Sequence, residues 1–183
     1  MPSMRLRRIA LFAALPAWLA GAALAQQAYR PGPQNIELPA GWETTFIRYA
    51  TLDNPTRKIV RNFYVNPEAF AAAKPGLPLP EGTLIILADN KARLGADGTP
   101  LLDQQGRLIP EPGWAAIGVQ EKRAGWGEGY PAEKRNGNWE YARFLGDGKR
   151  NDASVEACFT CHLQTRPNQD FAFNFWDYVQ ARK

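Results

Sequence analysis

The sequence predicts a mainly β domain of the α+β class, an antiparallel sheet with a few short helices and a C-terminal helix that carries the chemistry. Three observations predict it. Runs rich in β-branched and aromatic residues recur at 59–65, 84–88, 114–122 and 138–144, each the length of a strand. Glycine and proline, 16 and 15 residues of 183, punctuate the gaps, as turns and short connections require. The five residues CFTCH at 158–162 lie between Gly146-Asp147-Gly148 and Arg166-Pro167, a turn and a proline stop that bound one short helix.

Taken in order, residues 26–41 contain Pro31, Gly32, Pro33 and Pro39 and read as an extended lead-in. Trp42 to Ala50, with Phe46, Ile47 and Tyr49, fits either a first strand or a short helix. Ile59 to Val65 reads as a strand. Asn66-Pro67-Glu68 supplies an N-cap residue, a first-turn proline and a first-turn acid, so 67–74 is expected to be a helix that stops at Pro75-Gly76. Leu84 to Ala88 is a continuous apolar run and reads as a buried strand. Residues 89–113, with Gly95, Asp97-Gly98, Gly106 and Pro112-Gly113, form a turn-rich insertion expected to be one hairpin. Its acids lack the alternating series of a calcium loop. Trp114 to Lys122 and Asn138 to Phe144 are the next strands, the second alternating aromatic and polar residues. Gly125-Trp126-Gly127-Glu128-Gly129 has no βαβ surroundings and is not read as a nucleotide loop. Asp152 or Ser154 is placed to cap the CFTCH helix. Phe171, Phe173 and Phe175 recur at period two and suggest a final strand.

Cys158 and Cys161 are the only cysteines, and His162 is the only histidine. Every soft-metal ligand outside the methionines therefore sits in one helical turn. C-x-x-C-H is the attachment signature of a c-type haem: two thiols add across the porphyrin vinyl groups, and the next residue offers an imidazole to the iron. On a helix the three side chains fall within an arc of about 100°. A redox disulfide, half a zinc site and a plain structural bridge are the other readings of the pair. A thioredoxin-like motif would open a helix in an alternating strand-helix pattern, and a structural zinc site wants four ligands where this chain offers three. The assignment is one haem c, covalently held by Cys158 and Cys161, with His162 as the iron ligand.

Residues 1–25 predict export. Arg5, Arg7 and Arg8 precede an apolar segment from Ile9 to Leu24 that is broken by Pro16, and Ala23-Leu24-Ala25 is a small-x-small cleavage site. The mature chain then starts at Gln26, leaves 183 − 25 = 158 residues for a single domain over 26–183, and is most simply periplasmic. An N-terminal glutamine tends to cyclise, which makes the terminal amine a poor iron ligand. No cysteine stands at the cleavage site as a lipoprotein needs, and no later stretch nears the ~20 apolar residues of a membrane span. Cleavage removes three arginines and no acid, so the basic count is 22 − 3 = 19 against 18 acids, and the net charge falls from +4 to +1. Nucleic-acid binding loses its electrostatic basis.

Cleavage also removes Met1 and Met4, the only methionines. With His162 on the iron, no second histidine or methionine remains for the opposite axial position, so the pairing of ordinary electron-transfer cytochromes c is not on offer. The sixth position is then empty, water-filled, or held by a weaker ligand such as Lys, Tyr or a carboxylate. A small molecule binds where it is open.

Tyr64-Val65-Asn66, Pro80-Glu81-Gly82-Thr83, Gly137-Asn138-Trp139, Ala142-Arg143-Phe144, the CFTCH motif and Asp170-Phe171-Ala172-Phe173 follow one another in that order. In this series the chain resembles the cytochrome P-460 family, which includes the cytochromes c-prime-beta. The resemblance implies an antiparallel β fold, often a homodimer, with a five-coordinate haem that either oxidises hydroxylamine or binds nitric oxide and similar gases. In the oxidising members a lysine cross-links the porphyrin, four residues after the threonine of the Gly-Thr pair. Here that position is Leu87, and Lys91 stands four residues further on, ~13 Å along a strand. The departure favours gas binding. Hydroxylamine oxidation, which also needs a redox partner to accept electrons, is the enzymatic alternative, and simple electron transfer the third. No motif places a distal acid or base, so no catalytic residue is assigned.

Overall fold

A computed structural model describes residues 31–182; the export segment read at 1–25 lies outside the described residues. Strands β1 (Ile47–Asn54), β2 (Ile59–Val65), β3 (Leu84–Lys91), β4 (Ala116–Lys122) and β5 (Trp139–Leu145) form one five-stranded meander in sequence order, with every neighbouring pair antiparallel. Helices α1 (Trp42–Thr45), α2 (Pro67–Ala72), α3 (Glu156–Thr165) and α4 (Asn174–Gln180) complete the α+β domain. Among the described residues no helix is long and apolar enough to cross a membrane.

Side chains alternate across the sheet, and the two faces have different coverings. Tyr64, Ile86, Val119 and Ala142 share one row, and with Leu84, Ala88, Ile117 and Phe144 they pack against Ile36, Trp42 and Trp126. The lead-in thus closes this face, and Arg150 holds it there by donating to the Pro33 and Ile36 carbonyls. On the other face Val65, Ile85 and Tyr141 meet Ala69 of α2, Phe159 of α3, and Phe175 and Val179 of α4. Full burial of side chains such as Phe175 and Val179, both 0 % exposed, contributes roughly 1.5–3 kcal/mol each. The helices cover this face only in part, and the remainder is the cavity described below.

Several expectations need correction. The ambiguous 42–50 region holds both elements, a helix and then the edge strand β1. β1 continues to Asn54 through Leu52-Asp53-Asn54, a half-exposed edge run with little apolar alternation. α2 ends at Ala72, short of Lys74. Asn66 occupies its N-cap without a side-chain cap bond, because its amide instead accepts from Leu84 N–H and donates to the Gly82 carbonyl, tying the helix start to β3. The insertion is two tight loops on one base, with bridges Ala92–Pro110, Leu94–Pro100 and Leu102–Leu108, rather than one hairpin. Asp97 and Asp103 each accept backbone N–H groups of their own loop, the local turn chemistry of Asp.

The final strand expected at Phe171, Phe173 and Phe175 does not exist; the chain turns and enters α4. Asp170 and Phe171 both lie in the left-handed region, at φ 47° and 52°, which ends any extended run. The governing period is helical: Phe175, Tyr178 and Val179 stand at i, i+3 and i+4, with Phe175 and Val179 in the core and Tyr178 against the rings of Tyr49 and Phe70.

Candidate functional site

α3 is fixed by Phe159, the first residue of the motif's spacer. Phe159 lies between Tyr130 and Tyr141, with ring centroids 4.9 and 4.7 Å away. Asn136, fully buried, donates from one amide nitrogen to the Phe159 carbonyl and the Tyr141 hydroxyl, so helix and β5 are joined by one side chain. Val155 takes the N-cap, while Ser154 Oγ accepts the Glu156 N–H at 3.2 Å, and Arg166 ends the helix as expected. With Phe159 turned into the core, Cys158, Cys161 and His162 all line one cavity. Both cysteines are free thiols. Burial pushes the Cys158 thiol up, an effect that Arg143 partly offsets.

The imidazole of His162 is held on three sides. Tyr141 and Phe173 pack on it with centroids 4.8 and 4.6 Å away, the second edge-on at 90°. Nδ1 lies 2.6 Å from the Phe171 carbonyl oxygen. A carbonyl only accepts, so Nδ1 carries the proton and the free lone pair is on Nε2. Burial holds the ring below the ordinary histidine range, with the Phe171 contact opposing. A neutral imidazole with a fixed tautomer is the form that ligates a metal.

The Phe171 carbonyl has its own supports. It also accepts from Gln120 Nε2 on β4 at 3.1 Å. One residue earlier, Asp170 accepts from the Leu79 N–H at 2.9 Å and pairs with Lys122 Nζ at 2.8 Å. Lys122, 6 % exposed, also donates to the Leu79 carbonyl. These contacts over-determine a turn whose left-handed residues would otherwise cost on the order of 1–3 kcal/mol each.

The cavity has a volume of about 640 Å³ and runs across the open sheet face from α3 to the β1–β2 turn, within the size range of cofactor sites. Its middle row is Phe63, Leu87, Gly118 and Arg143, which are successive register partners. The next row carries Arg61 and Asp89, joined by two bonds of 2.7 Å; the pair lifts the Arg61 guanidinium above its usual range. Tyr49 enters the wall because β1 shifts register between Arg48 and Ala50, a bulge that re-aims its side chain. Burial raises the Tyr49 and Tyr141 phenols far above the usual tyrosine range, so both stay neutral. Leu87 is in the wall, as is Arg57, whereas neither Lys91 nor any other lysine among the described residues lines it.

Donor set and shape fit a c-type haem. Two free thiols and a neutral imidazole share one wall, and Gly118 leaves a cradle opposite them: an added Cβ would meet only Leu87 Cβ, at 3.9 Å. Gly118→Phe is expected to cut haem per folded chain severalfold, since overfilling a packed site costs about 1–3 kcal/mol, while Gly118→Ala stays near wild type. Haem content equal in all three proteins, read by pyridine haemochrome, would remove the cradle's role. Sequence reasoning overlooked Gly118, although an isolated glycine inside a strand run signals a close approach. Arg61, Asp89, Gln120 and Tyr49 carry no comparable signal, because their facing depends on register and a bulge.

A family model described as Cytochrome P460 matches residues 39–174 of the chain, a span that takes in all five strands and α3. No curated protein matches the chain.

Proposed function

The chain belongs to the cytochrome P460 family, and on that premise we propose a periplasmic monohaem protein whose opposite iron face receives nitric oxide or another small neutral ligand. Membership implies a haem cofactor. The finer reading assigns covalent attachment to Cys158 and Cys161 and iron ligation to His162. The observation that carries it is the Nδ1 contact with the Phe171 carbonyl at 2.6 Å, which leaves Nε2 as the donor on a ring that lines the same cavity as both thiols. When bound, haem supplies an iron that coordinates a diatomic ligand or exchanges an electron. Phe63, Ile85 and Leu87 supply apolar wall and favour an apolar guest over water. Export rests on residues 1–25, and a redox protein partner belongs to the oxidase reading.

Hydroxylamine oxidation is the second reading, and the Arg61–Asp89 pair favours it. A charged, hydrogen-bonded pair in the cavity wall can hold or move a proton. Against it stands Leu87 at the position of the family's cross-linking lysine. The ferrous protein is expected to bind nitric oxide one to one, with no hydroxylamine-dependent reduction of an artificial acceptor. Steady turnover by fully loaded protein would transfer the proposal to the oxidase.

A further inference from the structure

The geometry points to a two-sided control of the iron's proximal ligand, in which the Lys122–Asp170 pair holds the Phe171 carbonyl against His162 while Gln120 draws on the same oxygen and moderates it. This inference rests on His162 being the iron ligand. A hydrogen bond from Nδ1–H gives the imidazole partial imidazolate character, strengthens its donation through Nε2 and stabilises the ferric state. The strength of that bond is therefore a property of the acceptor.

Two features make this carbonyl an unusual acceptor. Its residue and the one before it sit at φ 52° and 47°, a conformation that Asp tolerates and Phe resists. The conformation is kept by a buried ion pair from β4, with Lys122 Nζ 2.8 Å from Asp170 Oδ2 and 2.7 Å from the Leu79 carbonyl. The oxygen is also shared: His162 Nδ1 stands 2.6 Å away and Gln120 Nε2 3.1 Å. Gln120 is 4 % exposed. A second donor on one carbonyl takes part of its electron density, so Gln120 weakens the pull on His162. Gln120 and Lys122 stand two apart on β4 and so face the same side. One strand thus carries the group that fixes the acceptor and the group that tempers it.

The two arms have opposite signs, which a merely structural role would not produce. Gln120→Leu leaves the turn anchored and removes the competitor. The iron–histidine stretching frequency of the ferrous protein is expected to rise and the midpoint potential to fall. The charge-neutral double variant Lys122→Met/Asp170→Asn releases the turn without stranding a buried charge. Its frequency is expected to fall and its potential to rise, by a change of roughly tenfold in the reduction equilibrium constant, ~59 mV for one electron. Resonance Raman spectra and a potentiometric titration of the haem-loaded proteins read both. Shifts of the same sign, or no shift in either variant, overturn the inference. Should the double variant fail to fold, Gln120→Leu decides alone, and an unchanged or lowered frequency overturns it. Absence of an iron–histidine band from the wild-type protein would instead refute the ligand assignment itself.

Discussion

Replacing both cysteines, Cys158→Ala/Cys161→Ala, is expected to abolish haem that survives denaturation, and each single variant to keep at most one thioether bond. The expectation follows from chain content and placement together. There are no other cysteines, and both sulfurs line the cavity in which His162 sits. The substitutions leave the helix its main anchor, since Phe159 and not the thiols fills the space between Tyr130 and Tyr141. A folded but haem-free or loosely loaded protein is therefore the outcome, rather than a general collapse. Haem staining after denaturing electrophoresis and intact mass read the result. Covalent haem at the wild-type yield in the double variant would contradict the role given to the thiols.

His162→Gly carries the second large effect. On the proposed ligation the iron would lose its proximal imidazole, so the iron–histidine band is expected to vanish from the ferrous spectrum and to return in part when free imidazole is added. Stability also falls. The ring is packed by Tyr141 and Phe173 and tied to the turn at Phe171, so its removal is expected to cost roughly 1–3 kcal/mol in addition to about 1 kcal/mol for glycine inside a helix. Chemical denaturation of wild-type and variant proteins measures that part. A ferrous band that persists without added imidazole would place the ligand elsewhere.

Much of the sheet was legible because its strands are buried on at least one side and keep their apolar or alternating pattern. β2 begins and ends where the sequence places it, at Ile59 and Val65. β1 was half hidden, since an edge strand that shows Leu52 half exposed has little to alternate. The last element misled for a different reason. Three phenylalanines at period two suggested a strand, but the left-handed pair Asp170 and Phe171 breaks the run, and a single Asp, which tolerates that region but is common elsewhere, is too weak a signal to announce such a turn. The proposed haem-binding residues were legible as a group: their spacing alone put Cys158, Cys161 and His162 on one arc of a helix, and they line one cavity. Their surroundings were not. Gly118 faces Leu87, and Arg61 faces Asp89, only because of strand register, which lies in pairings tens of residues apart.

The central claim, a covalently held haem with His162 on one side and an open site on the other, is tested most directly by one spectrum. Ferrous protein produced with a c-type maturation system is expected to show an ordinary high-spin c-haem absorption that shifts sharply on adding carbon monoxide. A low-spin spectrum indifferent to carbon monoxide would mean that the sixth position is filled, contradicting the open site, and a strongly red-shifted Soret band would mean that a lysine cross-links the haem despite Leu87.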